Sequence, residues 1–435
     1  MIEQVAFILV LLTAGYFLYK RILFIRNNIQ LGKNAEIKDN PQKRLRNLLL
    51  IAFGQQKMFK RPVPAILHLF LYVGFLVINL EVLEFVIDGI SGSHRIFAPY
   101  LGTFYNVMMN LFEFLAVAVL ASCLFFLIRR NILKLRRFWM YEMTAWPRLD
   151  ANIILLTEIA LMVAILTMNA TDQILQNSHP DYSRTGSLVF SSMLVPAFDP
   201  LTVSTLVVVE RFAWWFHIVG ILGFAVYITY SKHLHIFMAF PNTWFAKVEP
   251  VGRINNMPVV TGEVKMMLGL ADSSATTSQE PGRFGAKDVN DLTWNMLMGA
   301  YTCTECGRCT AECPANQTGK KLSPRKIMMD TRDRMEEVGN SLKHGGPGLN
   351  DGKSLLNDYI SKEEINACTS CHACVEACPV LINPLEIIIE LRRFVTMEES
   401  GAPQSWNSMY QNIETNFAPW KFSPGDRFNW AKEER

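Results

Sequence analysis

Five apolar segments, each long enough to cross a hydrocarbon core of ~30 Å as a helix of about 20 residues, dominate the first 240 residues of this 435-residue chain. They run roughly Val5–Ile25, Val63–Ile87, Phe104–Ile128, Ile153–Asn169 and Leu206–Tyr230. A backbone in lipid must satisfy its own N–H and C=O groups, so such segments fold as helices. Half of all residues are hydrophobic (50%), and they thin out after residue 240. The first segment has its basic residues after the apolar run and lacks a small-residue cleavage site, so it reads as an anchor rather than a removable leader. The formal charge of +3 is too small to argue for nucleic acid, and the basic residues sit beside the apolar blocks.

Lys and Arg counts set the expected orientation. Residues 26–62 carry nine basic residues from Arg26 to Arg61, and the third connection carries Arg129, Arg130, Lys134, Arg136, Arg137 and Arg148. Residues 88–103 have only Arg95 and residues 170–205 only Arg184. The N-terminus is therefore expected outside, and everything after Tyr230 in the cytoplasm of a bacterial cell, with the bundle in its inner membrane.

Eight of the nine cysteines fall in two groups near the C-terminal end; the ninth, Cys123, lies in an apolar run and reads as a small buried residue. In a reducing cytoplasm clustered cysteines are metal ligands rather than disulfides. YTCTECGRCTAECPAN and ACTSCHACVEACPVLINP each contain C-x2-C-x2-C-x3-C-P, the run that binds [4Fe–4S] clusters in bacterial ferredoxins. Three cysteines wrap one cluster and the fourth ligates the other. This gives Cys303, Cys306, Cys309 and Cys378 for one cluster, and Cys368, Cys371, Cys374 and Cys313 for the second. Paired zinc knuckles are the competing reading, but they rarely carry the third C-x2-C step and the C-P ending. His372, inside the second run, reads as a packing or potential-tuning neighbour rather than a ligand.

Histidine inside a membrane is a functional-site hypothesis by default. His68 lies in the second segment, His217 in the fifth, and His233 and His235 just after it. His217 and His235 are 18 residues apart, five full helical turns, so they are expected on one face about 27 Å apart along the axis, with His233 on the opposite side. His68 and His235 both lie near the cytoplasmic boundary and pair as ligands of a haem b, which takes imidazoles from different helices. Lys232 and His233 read as a solvated edge. Glu81, Glu84 and Glu113, within or near apolar helices, fit either a proton relay to a quinone or ordinary ion pairing inside the bundle.

The stretch WWFHIVGILGFAVYITYSKHLHIF resembles the last helix of the nitrate reductase gamma subunit and related cytochromes b, and ILHLFLYVGF resembles the helix carrying their cytoplasm-side haem ligand. That resemblance implies five helices, two b-type haems and electron exchange with quinone. It places His68 and His235 on the inner haem and His217 on an outer one. The family's further histidine on the second helix is Ile78 here, so His94 in SGSHRIF is the expected substitute partner of His217, with His179 a weaker one. The 54 residues between Cys313 and Cys368 hold helical stretches such as PRKIMMDTRDRMEEV, and PLEIIIELRRFV is helical with Pro384 at its start. Residues 295–400 thereby resemble the helical ferredoxin domain of succinate dehydrogenase and heterodisulfide reductase, without the cysteine-rich CCG repeats that commonly follow it.

The expected fold is an all-α membrane protein, a five-helix cytochrome b-like bundle (1–239) joined by a connector (240–294) to a two-cluster ferredoxin domain (295–400) and a docking tail (401–435). The connector includes a flexible loop at Ala271–Asp288. The expected role is an electron-transfer subunit of a quinone-linked oxidoreductase, of heterodisulfide reductase or electron-transfer-flavoprotein:quinone oxidoreductase type. A partner with CCG repeats, flavin or both would do the substrate chemistry. The competing role is a non-catalytic redox sensor or assembly protein without haem.

Overall fold

A computed structural model describes residues 1–35, 37, 40–270, 283–421 and 423–432. Residues 271–282 of the loop expected at Ala271–Asp288 lie outside the described residues.

Among the described residues, five helices are long and apolar enough to cross a membrane. They are α1 (Ile2–Ile29), α2 (Pro62–Ser91), α3 (Thr103–Leu127), α4 (Ala145–Ser178) and α5 (Val203–Ile228). Neighbours in sequence pack together, and α5 returns to α1, so the five close into a ring. Local chemistry fixes the ends. Pro62 opens α2, where its missing N–H costs nothing. Gly92, at φ 76°, ends it with its N–H on the Asp88 carbonyl. The Thr202 hydroxyl caps α5 by accepting from the Thr205 N–H at 3.3 Å.

The fifth helix ends two residues before its apolar run does. It stops at Ile228, a turn and a 3-10 segment (Lys232–Leu234) follow, and α6 (His235–Phe245) starts afresh. His217 and His235 therefore do not lie on one unbroken helix and share no helical face. The break re-aims the chain so that His233 and His235 stand edge to face, 5.4 Å between ring centres, instead of on opposite sides.

After α6 come α7 (Trp294–Thr302), α8 (Arg308–Ala311), α9 (Pro324–Lys343), α10 (Ala373–Ala377), α11 (Pro384–Met397) and α12 (Gln404–Asn416). Ser323 and Asn383 cap α9 and α11, each of which has Pro in its first turn. Leu297, Ile327, Val338, Ile388 and Leu391 form a dry core between these helices, each side chain contributing about 1.5–3 kcal/mol on burial. The unit begins before Trp294, because Asp288 is paired to the fully buried Arg334 at 2.7 Å. By contrast, Trp406, Tyr410, Ile413 and Phe417 of the tail are exposed.

The helical unit is seated on one end of the bundle. Arg21 of α1 makes two bonds to Glu336 of α9 (2.6 and 3.0 Å) and a third to the Thr229 carbonyl. The Asn28 amide donates to the Tyr301 hydroxyl at 2.8 Å, and that hydroxyl donates to Glu336 at 2.7 Å. Gly339 is required here, since a Cβ would sit 1.9 Å from the Asn28 side chain. Arg325 and Glu142, both almost fully buried, close the other side at 2.6 Å.

Candidate functional site: two cysteine loops beneath a histidine pair

The two cysteine runs fold as one backbone used twice. In the first, Glu305 and Gly307 are left-handed (φ 55° and 71°); in the second, Ser370 and His372 occupy the same places (φ 54° and 61°). These kinks turn successive cysteines inward. A one-turn helix follows each, α8 and α10, and these two helices pack on each other. Each run ends in Cys-Pro, and that packing carries the fourth cysteine to the other loop.

Burial first, and then the nearby charges of Glu305, Cys306 and Cys378, push the Cys303 thiol up to about 12. Burial, with Cys368, Cys313 and Cys371 alongside, pushes Cys374 up to about 12 as well. The structure thus gathers Cys303, Cys306, Cys309 and Cys378 in one place, and Cys368, Cys371, Cys374 and Cys313 in another. Among the described residues no three such side chains converge on a point that one metal ion would fill; a four-iron cubane, ligated at each corner, is a wider object. Iron would have to displace the thiol protons, as metal binding to cysteine does. Backbone N–H groups already point at two sulfurs: Ile382 at Cys378 (3.2 Å) and Ser370 at Cys368 (3.4 Å). Such bonds raise a cluster's reduction potential. Cys123 is fully buried, apart from both groups.

The histidine pair is linked to the first loop through Lys232, whose carbonyl meets His235 and whose ammonium meets Glu305. The rings of His68 and His235 stand 6.3 Å apart, tilted by 42°. Two imidazoles sharing one metal, with bonds of about 2 Å, stand roughly 6 Å apart, so the spacing fits a two-imidazole ligation. Each Nδ1 is already engaged, His68 with the Gln55 Oε1 at 3.0 Å and His235 with the Lys232 carbonyl at 3.2 Å. Both acceptors require Nδ1–H, which leaves the lone pair on Nε2, the arrangement that orients histidine as a metal ligand. Burial also holds His235 down at about 4, so its ring is neutral. His233 rests against Phe224 and His235 rather than in solvent.

Sequence reasoning misread Lys232. It is buried, its ammonium bonded to Glu305 and to the Pro147 carbonyl at 2.6 Å, with Asp150 3.8 Å away. No spacing rule signals this, because the partners come from the α4 N-terminus and from inside the first cysteine loop. Gln55 was missed too; it lies 13 residues before His68, across an irregular connection with no repeat to read.

The outer pair expected between His217 and His94 does not assemble. The His217 Nδ1 bonds to the Leu161 carbonyl at 2.9 Å, and its Nε2 is buried without a partner. His94 faces Asp172 through Nε2 at 3.1 Å and receives the Ser183 N–H on Nδ1. Leu161 and Asp172 are eleven residues apart on α4, about 16 Å along the axis. His179 turns to Tyr182 and Asp181. Arg95 explains why: it gathers Asp172 and Asn169 (both 2.7 Å) and Tyr105 (3.2 Å) into a buried polar plug at this end. Two of the acidic residues serve that plug. Glu84 accepts from Tyr105 at 2.6 Å, and Glu113 accepts from the Phe190 and Ser191 N–H groups. Glu81 keeps one oxygen without a partner.

Comparison with known proteins agrees with the cysteine geometry. The family model of a 4Fe-4S dicluster domain matches residues 302–382. Both cysteine runs fall inside that match. Over 98% of its length the chain is 25% identical to the probable iron-sulfur-binding oxidoreductase FadF of Bacillus subtilis, covering 61% of that protein. It is 26% identical, over 99% of its length and 60% of the relative's, to the EtfAB:quinone oxidoreductase of Syntrophomonas wolfei. The chain thus spans about three fifths of these relatives. A third of the chain (33%) is 30% identical to 36% of one component of the dihydromethanophenazine:CoB–CoM heterodisulfide reductase of Methanosarcina mazei. No solved structure matches.

Proposed function

We propose that this chain is the membrane electron-transfer unit of a quinone-linked oxidoreductase. It passes electrons between a cytoplasmic redox partner, two [4Fe–4S] clusters, one b-type haem and the quinone pool. The observation that carries the reading is the His68–His235 pair, with both Nδ1 atoms engaged and with Lys232 linking it to Glu305 of the first cysteine loop. Likeness over nearly the whole chain to an EtfAB:quinone oxidoreductase supports the quinone. The basic connections support a ferredoxin unit on the cytoplasmic side.

Bound there, a b-type haem would supply one-electron exchange between the clusters and a quinone in the bilayer, two electrons and two protons making one quinol. The protein's part is positional. Gln55 and the Lys232 carbonyl fix the two imidazoles, the α1 and α4 contacts seat the clusters beneath them, and α2–α5 exclude water. The partner, a flavoprotein or a CCG-repeat protein, meets the exposed second loop. Anaerobic titration of the purified protein with a short-chain menaquinol tests this. A b-type α band should appear as quinol is added; protein with full iron–sulfur signals and no haem band would overturn the reading and favour a redox sensor.

A further inference from the structure

Lys232 touches both halves of the proposed path. Its backbone carbonyl accepts from the His235 Nδ1–H, and its ammonium pairs with Glu305, which sits between Cys303 and Cys306. Both partners are buried, 8% and 3% exposed at the side chain. Glu305 is held from the far side by Arg332 at 2.9 Å, and the Arg325 guanidinium donates to its carbonyl at 3.3 Å. Asp150 receives the Lys232 N–H at 3.2 Å and the Tyr227 hydroxyl at 2.6 Å, so the turn before His235 is fixed as well. Among the described residues the second loop has no such buried pair to the bundle: Glu376, after Cys374, meets Lys60 at an exposed site.

We propose that the Lys232–Glu305 pair sets the reduction potential of the cluster held by Cys303, Cys306, Cys309 and Cys378, and positions that cluster against His235. Reducing a cluster adds negative charge, which a nearby ammonium stabilises and a nearby carboxylate opposes. In a dry seam such charges are weakly screened. The pair is close to neutral as seen from the cluster, so the potential is poised by the balance between its members. Lys232 is thus a positioning residue acting through Glu305. The His235 part rests on the haem reading above; the cluster part does not.

Redox titration of the full-length protein, followed by cluster EPR, decides it. Lys232→Met should lower the midpoint of one cluster and Glu305→Gln should raise it. The double variant should return near the original value, with the second cluster unmoved throughout. A merely structural role would move both single variants the same way or cost cluster content in both. Unshifted potentials in Glu305→Gln with both clusters intact, or shifts of one sign in the two single variants, would overturn the proposal. Because no haem or quinone signal is read, the outcome is independent of the proposed function.

Discussion

The two cysteine loops share one backbone and live in different surroundings. The first is wedged under the bundle: Glu305 is buried against Lys232 and Arg332, and Arg325 reaches across to Glu142 and the Arg137 carbonyl. The second presents Cys371 to solvent and is held chiefly by Arg392, which donates to the Ile365 carbonyl at 2.8 Å and to the Cys368 carbonyl. Duplicate geometry therefore supplies two clusters, and burial gives each its place. On the proposed reading, the loop in the seam faces the membrane side and the open loop is the one left for a partner.

Perturbations of the seam should exceed their counterparts in the open loop. The largest effect falls on Arg325→Ala, which strands the buried Glu142 carboxylate. Removing one partner of such a pair costs about 3–5 kcal/mol, whereas Arg392→Ala, at the half-exposed loop, should cost about 1.5–3 kcal/mol. Denaturant unfolding in detergent measures both, and limited proteolysis around residues 132–144 should accelerate only in the Arg325 variant.

The smaller contrast lies at the paired left-handed positions. A Cβ at Gly307 would sit 2.5 Å from the Arg325 Nη1 and 3.3 Å from the Arg137 carbonyl. Gly307→Ala thus adds a displaced arginine to a left-handed penalty of about 1–2 kcal/mol. His372 already bears that penalty, so His372→Gly should stabilise by up to about 1 kcal/mol, set against the extra chain entropy of glycine. Equal and opposite effects at the two sites would mean that the seam adds nothing beyond backbone geometry.

Much of this arrangement was legible in the sequence, and the illegible part has a common cause. The spans follow from length and hydropathy alone. The iron–sulfur runs are local patterns, and Pro324 and Pro384 announce their helices. The sequence placed His68 and His235 near the same boundary, and the structure brings their rings within 6.3 Å, although the helical phase invoked for His235 was wrong. What was not legible is long-range polar pairing. Lys232 looked like an edge residue because its partners, Glu305 and Asp150, lie 73 and 82 positions away. His94 looked like a spare ligand because nothing local reveals that Asp172 and Ser183 already hold it. The break after Ile228 left no mark either, since the apolar run continues to Tyr230.

The haem belongs, on this reading, at the inner end of the bundle against the buried loop, with none at the end plugged by Arg95. The reduced-minus-oxidised optical spectrum of three variants, each checked for intact cluster EPR, tests that placement most directly. His68→Ala and His235→Ala should each lose the b-type α band, while His217→Ala keeps it. A band that survives both His68→Ala and His235→Ala, or disappears in His217→Ala, would contradict it.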